Sequence, residues 1–286
     1  MSSRVTVFFC DLPGERLRAL PGLPAAATDA PADACELFGL RGPDLPVAAV
    51  TYAHDFGAPP PAWCARLDPV CLLAAGATLR LLDLASAPLA EPEARALFER
   101  VSTAGVIEDV EWRYAAPLRW YVLRDAVPDL HTCPPDALPN GQVAAGQPRG
   151  ADAPRWQTWL NELQMLLFDA PENQAREARD LPPANALWLW GTGTAPRLPA
   201  APFDSVWTGQ PLLGGLARLA GRAPEAVPAS PAAWLSDPPP GHALLGLDAG
   251  RLEAVTLLAD GARVNLRRRG ALVRLGARLK ARLKAR

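Results

Sequence analysis

Apolar positions along the chain fall either into short unbroken runs or into series spaced by three and four residues, and these two patterns predict different elements. Val5–Cys10 (VTVFFC) is an unbroken run and predicts an opening β-strand. A Pro/Ala-rich stretch to Arg41 predicts loop, with one short helix near Ala34–Gly39. Val47–Tyr52 predicts a second strand. The runs Pro69–Leu73 and Leu79–Leu84 flank the turn signal Ala75-Gly76 and predict a hairpin. Glu91–Thr103 predicts a helix with Pro92 in its first turn, where the missing N–H costs nothing. Val106–Tyr114 and Leu118–Leu123 predict two half-buried strands.

From Pro154 onward the spacing becomes helical. Trp156, Trp159 with Leu160, Leu163, and Leu166 with Leu167 share one face, suited to packing on a sheet. A short charged helix follows, then the turn at Pro182-Pro183 and the strand Ala186–Trp190, apolar enough to bury both faces. That strand ends in Gly191 and Gly193, and the glycine turn after such a strand is where open α/β sheets place ligands. Phe203–Trp207 predicts a strand and Pro211–Ala220 a helix capped by Gly221. Leu244–Leu247, Leu252–Leu258 and Val264–Leu266 predict strands, the last two joined across Ala259-Asp260-Gly261. No internal repeat is visible.

These elements predict an α/β protein with a mostly parallel central sheet flanked by helices. The segment 125–153, with LPNGQ and AGQPRG, predicts a connector or lid. It separates an N-terminal α/β part (1–124) from a C-terminal part (154–286) of one continuous domain.

Composition alters this picture at the C-terminus. The chain of 286 residues has a formal net charge of −1, but Arg263–Arg286 holds ten Arg or Lys and no acid. The remaining residues 1–262 carry 19 basic and 30 acidic side chains, 19 − 30 = −11, which disfavours general nucleic-acid binding by the body. In the tail, Leu272, Leu275, Leu279 and Leu283 share a helical face among basic residues. That pattern predicts a basic amphipathic helix, which either packs on the acidic body or contacts an anionic membrane surface or RNA. No apolar run is long enough for an integral membrane span, and the N-terminus has no signal-peptide pattern, so a cytoplasmic protein is expected. The 32 prolines sit in stretches such as DPPPG that read as drift at tolerant positions rather than as polyproline ligands.

Candidate chemistry is sparse. Cys10, Cys35, Cys64, Cys71 and Cys133 are odd in number, irregularly spaced and expected to be reduced. His54, Cys64 and Cys71 lack the tight spacing of structural zinc sites, and no Walker loop, GxSxG or complete GxGxxG is present. Gly191-Thr192-Gly193-Thr194 is either a plain turn or a backbone approach to phosphate. Arg176 and Arg179 either bind an anion or pair with Glu172 and Glu177 in solvent.

Asn173, Arg176, Pro183, Asn185, Trp188, Trp190, Gly191 and Gly193 form N-x-x-R-x6-P-x-N-x-x-W-x-W-G-x-G. This segment resembles a signature of archaeal-type cofactor-independent phosphoglycerate mutases, of the alkaline phosphatase superfamily. The likeness runs on through Pro211-Leu212 and the glycine-bounded helix Gly215–Gly221, and is confined to about Trp156–Gly221. A second resemblance, to RpfE-type bacterial regulatory proteins often labelled phosphoglycerate mutases, covers nearly the whole chain. It includes Asp68-Pro69-Val70, the WLNELQMLL helix and the terminal strand with its basic helix.

The mutase resemblance implies a two-metal site of Asp and His residues with a Ser or Thr nucleophile near the first strand. Here that strand runs into Cys10-Asp11-Leu12-Pro13-Gly14, without the expected Asp-Gly. The His expected before Pro171 is Ala170, the Arg expected after Asn173 is Gln174, and the His of the family's DPVH is Cys71. The resemblance with these departures implies a degenerate alkaline phosphatase-like pseudoenzyme without cofactor, acting as a regulatory or small-ligand-binding protein. Asn173, Arg176 and Asn185 would line a pocket for a small anionic ligand, with Trp188 and Trp190 as further ligand-binding candidates and Gly191 and Gly193 shaping its rim. Equally, Asn173 and Asn185 brace the turns around Pro182-Pro183. The alternative is a phosphoglycerate mutase or phosphatase with Mn or Zn held by Asp11, His54, Asp55 and His242. A further alternative is an interaction protein that uses the basic tail 263–286, and a regulatory protein partner is also open.

Overall fold

A computed structural model describes residues 4–9, 30–76, 78–82, 84, 87–229, 234, 239–247, 264–267 and 272–275. Two compact units divide the chain, one formed by Met1–Arg41 with Arg197–Arg286 and the other by Gly42–Pro196. The segment 125–153, expected between two parts, lies wholly inside the second unit.

The first unit contains β1 (Arg4–Phe9), α1 (Ala30–Leu37), β7 (Ser205–Trp207), α6 (Pro211–Leu219), β8 (Pro224–Glu225), β9 (His242–Leu247), β10 (Val264–Arg267) and β11 (Leu272–Leu275). Its six-stranded sheet has the order β10-β11-β1-β9-β7-β8. Pairing is parallel from β1 through β9 and β7 to β8, and antiparallel where β11 joins β1 and β10. The basic amphipathic helix is therefore corrected at its start, because Leu272 and Leu275 lie in a strand. Backbone pairing to β1 and β10 outweighs a helical spacing that spans barely one turn there. Asp11, the strand expected at Leu252–Leu258 and its turn to Val264, and the tail after Leu275 lie outside the described residues.

The second unit contains α2 (Val47–Phe56), β2 (Trp63–Ala75), β3 (Thr78–Leu82), α3 (Glu91–Thr103), β4 (Glu111–Ala116), β5 (Arg119–Arg124), α4 (Ala153–Phe168), α5 (Pro171–Glu177) and β6 (Ala186–Gly193). Every strand pairing here is antiparallel, with β2 as the hub for β3, β5 and β6 and with β4 outside β5. The expected mostly parallel central sheet is thus corrected. Among the described residues each unit has its own sheet, and antiparallel pairings are the majority.

Two other expectations change. Val47–Tyr52 is helical, since an apolar run without a period fits a buried helix as well as a strand. Seven consecutive residues, Val47–Ala53, are buried, and Gly57 closes the helix in the left-handed conformation at φ 78°. The strand expected from Val106 begins only at Glu111, after a turn with Asp109 at φ 55°.

The face of α4 behaves as its spacing predicts. Trp156, Trp159, Leu163 and Leu167 are buried, and they meet Trp63, Leu67, Trp120, Val122, Leu187 and Leu189 from the sheet. Phe98 and Leu97 of α3 complete this layer. The opposite sheet face takes α2, whose Ala48, Ala49 and Tyr52 pack on Cys64, Tyr121 and Leu123.

Candidate functional site

The signature segment runs from α5 into β6. Asn173 is 2% exposed, and its side chain closes the loop between α4 and β6. It donates to the Leu167 carbonyl at 2.7 Å and the Ala184 carbonyl at 3.1 Å, and accepts from the Ala184 N–H at 2.8 Å. Asn185 uses its amide in the same way, accepting from the Leu72 N–H at 2.7 Å and donating to the Leu72 carbonyl at 3.1 Å.

Arg176 is completely buried. Its guanidinium donates to the carbonyls of Pro182 (2.9 Å), Pro88 (3.3 Å) and Ala87 (2.6 Å), and to Glu93 at 3.1 Å. Glu93 also accepts from the Ala90 N–H at 2.9 Å and from Arg179. Burial pushes the Glu93 carboxyl up, but the Ala90 N–H and the two guanidinium groups outweigh it and hold the carboxyl below its ordinary range. A buried guanidinium needs such partners because stripping it of water is costly.

Trp188 donates its indole N–H to the Cys133 carbonyl at 2.9 Å, and Trp190 donates to Asp68 at 2.7 Å. Gly191 and Gly193 are residues of β6 itself rather than a turn after it. A Cβ at Gly191 (φ 65°) would stand 3.0 Å from the Ala48 nitrogen, and one at Gly193 would stand 2.7 Å from the Pro46 Cβ. The glycines thus let the start of α2 approach the strand, beside a register shift in the β2 pairing. The structure thus places both glycines inside the strand and against the start of α2. Structurally, Asn173, Arg176 and Asn185 brace backbone, and their hydrogen-bonding groups face protein.

Of the metal candidates, Asp55 is bonded to protein groups. Asp55 accepts from Arg119 Nε at 2.6 Å and Nη2 at 2.8 Å, and from the Tyr121 hydroxyl at 2.6 Å. Both carboxylate oxygens of Asp55 thus accept hydrogen bonds from protein groups. His54 lies on α2 in the same unit, whereas His242 belongs to β9 of the other, its ring 4.9 Å from that of Phe203. Among the described residues, no group of three or more His, Cys, Asp or Glu is placed to hold a metal ion. Cys71 is fully buried in the α3/α4 core, and burial raises its thiol pKa. Cys35, Cys64, Cys71 and Cys133 form no disulfide. No helix among the described residues is long and apolar enough to cross a membrane.

A polar cluster that the sequence did not single out lies on the α2 face. Arg66 grips Asp68 through Nε at 3.0 Å and Nη2 at 2.5 Å, and its guanidinium carbon stands 4.5 Å from the centre of the Trp190 ring. Desolvation raises the Asp68 carboxyl above its ordinary range, against the pull of Arg66 and Trp190. The available signal was the i, i+2 spacing of Arg66 and Asp68, which puts both on one face of a strand.

No protein-family model matches the chain. The chain is 26% identical over 156 residues to a probable 2,3-bisphosphoglycerate-independent phosphoglycerate mutase of Geobacter sulfurreducens, covering 54% of this chain and 38% of that one. It is 37% identical over 78 residues to a 2,3-bisphosphoglycerate-independent phosphoglycerate mutase of Methanothrix thermoacetophila, covering 27% and 19%. The matched regions therefore span less than half the length of these curated relatives. The chain is similar in sequence to cofactor-independent phosphoglycerate mutases. Among solved structures, the cofactor-independent phosphoglycerate mutase from Thermoplasma acidophilum aligns with TM-score 0.43 and 16% identity over 90% of this chain and 80% of that one. The PH0037 protein from Pyrococcus horikoshii aligns with TM-score 0.40 and 14% identity over 86% and 70%. At these scores neither alignment fixes the fold.

Proposed function

We propose that this chain is a non-catalytic protein on a phosphoglycerate mutase-like scaffold, serving a regulatory or binding role. One observation supports this above others: the residues carrying the signature are consumed by the fold. Asn173, Arg176 and Asn185 spend their polar atoms on backbone carbonyls and N–H groups and on Glu93. The capture of Asp55 by Arg119 and Tyr121, and the burial of Cys71 where the resemblance expects a histidine, point the same way. The RpfE-type resemblance suggests the regulatory role, and the alkaline phosphatase-like ancestry belongs to the same proposal.

The sequence similarity to the Geobacter sulfurreducens protein favours the competing reading, a metal-dependent phosphoglycerate mutase or phosphatase. The test is elemental analysis of protein purified without chelator, followed by mutase assay with 3-phosphoglycerate and phosphatase assay with added Mn or Zn. The proposal expects no stoichiometric metal and no turnover above background. Two equivalents of metal with turnover lost on Asp55→Asn would replace it with the enzyme.

A further inference from the structure

The strand β4 is the outer strand of its sheet, at the end of the order β3-β2-β5-β4. Its inner side pairs with β5, in the register Glu111↔Leu123, Trp112↔Val122, Arg113↔Tyr121 and Tyr114↔Trp120. In an antiparallel ladder alternate residues turn their N–H and C=O away from the partner strand. On β4 those outward groups meet no bonding partner among the described residues. The edge is also accessible: none of Glu111–Ala116 is buried, and Glu111 and Arg113 are exposed. Proteins commonly block such edges with proline, bulges or charges. Here the strand has no proline, its register shift comes only between Tyr114 and Ala116, and its two charges are of opposite sign.

Glu111 and Arg113 share the α2 face of the sheet with Tyr121, and their side chains, 55% and 46% exposed, pair with each other at 2.5 Å. Trp112 and Tyr114 share the α3 face, with ring centres 6.1 and 5.4 Å from that of Phe98. Two copies that continue one antiparallel sheet across this edge are related by a two-fold axis perpendicular to the sheet. That axis keeps each residue on its own face, and directly opposed residues share a face. One residue must therefore stand opposite its own copy. An axis at Glu111 opposes two carboxylates and an axis at Arg113 opposes two guanidinium groups, both unfavourable. An axis at Tyr114 brings Arg113 to Ala115, in the register shift where regular pairing stops. An axis at Trp112 sets Glu111 opposite Arg113 of the second copy, twice by symmetry. On the other face it sets Trp112 against Trp112 and Tyr114 against Val110.

We propose that β4 is a self-association edge, to which a second copy of this chain adds through its own β4, antiparallel and with the two-fold axis at Trp112. Charge complementarity selects the occupant: the sequence Glu-Trp-Arg is complementary to itself when reversed, and to a strand carrying one sign of charge it is not. Opposite charges and aromatic side chains directly across from each other are favourable cross-strand pairs. The same contact satisfies the outward peptide groups of both edges in one ladder. One short strand from each copy makes a small interface, so the dimer forms reversibly and depends on concentration. The inference does not depend on whether the scaffold retains catalysis.

The test is sedimentation velocity of the full chain from about 1 to 200 µM, with amide hydrogen exchange at both ends of that range. The parent is expected to pass from monomer to dimer, and one alternate set of β4 amides to exchange about tenfold or more slowly in the dimer. Glu111→Arg and Arg113→Glu, both at exposed positions, each set like charges opposite one another twice. Each is expected to weaken the dimer about tenfold or more and to leave the melting temperature of the dilute protein unchanged. Mixing the two variants in equal amounts restores the dimer, and so does the double variant Glu111→Arg/Arg113→Glu, because every charge again faces its opposite. A parent that stays monomeric throughout overturns the proposal. So does a dimer indifferent to both single variants, or a loss that mixing does not restore. Full protection of the β4 amides already in the dilute monomer would show the edge covered by its own chain and would also overturn it.

Discussion

Asn185 acts on Leu72 as a peptide unit would, accepting from its N–H at 2.7 Å and donating to its carbonyl at 3.1 Å across 113 residues of sequence. The strand β6 begins at Ala186, so the Asn185 side chain extends the β2 ladder by one position before the strand starts. The same side-chain type at Asn173 closes the preceding loop. The conspicuous polar residues of the signature thus bond to backbone groups at the ends of neighbouring elements.

Removing these amides tests that role. Asn185→Ala leaves both Leu72 peptide groups without their partner and is expected to cost about 1–3 kcal/mol in urea unfolding. Asn173→Ala, at a more buried site, is expected to cost at least as much. A stability unchanged by both substitutions would return these residues to ligand binding.

Arg176→Met strips three carbonyls and Glu93 of a fully buried partner, and is expected to destabilise by about 3–5 kcal/mol. Arg176→Lys should recover little of this, since an ammonium cannot reproduce the planar fork. Thermal melts of the two variants decide it. A lysine variant as stable as the parent would show that charge alone suffices.

Glu93 links this cluster to pH. Its carboxyl is held below the ordinary value of 4.5 by the Ala90 N–H, Arg179 and Arg176 against the opposing effect of burial. A carboxylate with a depressed folded pKa stabilises fully above the unfolded value, and that contribution disappears as pH falls through the folded one. Urea midpoints measured below about pH 4.5 should therefore fall less steeply for Glu93→Gln than for the parent. Parallel slopes would remove Glu93 from the acid response.

The cysteines should differ in reactivity. Burial raises the thiols of Cys71 and Cys64, and pushes Cys35 up to about 12. Cys133 is only partly buried. Among these four, native-state alkylation is expected to reach Cys133 first, with the others labelled only on unfolding. Rapid labelling of Cys71 would indicate an accessible site where the resemblance places a histidine.

The basic tail can be tested without disturbing the sheet. Because Leu272–Leu275 pairs with β1, truncation should follow Leu275, removing Arg278, Lys280, Arg282, Lys284 and Arg286. If the tail contacts anionic lipid or RNA, vesicle or RNA binding in low salt is lost by this truncation. Binding that persists would place the contact elsewhere.

Much of the local structure was written in the chain itself. The helix Glu91–Thr103, the buried face of Trp156, Trp159, Leu163 and Leu167, the hairpin around Gly76 and the strand from Ala186 follow from periodicity, turn residues and caps, which act over a few residues. What needed the tertiary structure was long-range. Val47–Phe56 could be a buried strand or a buried helix until its neighbours were known. Arg176 finds its carbonyls on Ala87 and Pro88, and Arg4–Phe9 pairs in parallel with His242–Leu247, partners that no local window contains. The sequence by itself determined which residues carry the likeness to phosphoglycerate mutases. Only the packed chain decided that Asn173, Arg176 and Asn185 serve backbone, because a buried polar group bonds to whatever unpaired partner the fold brings within 3 Å or so.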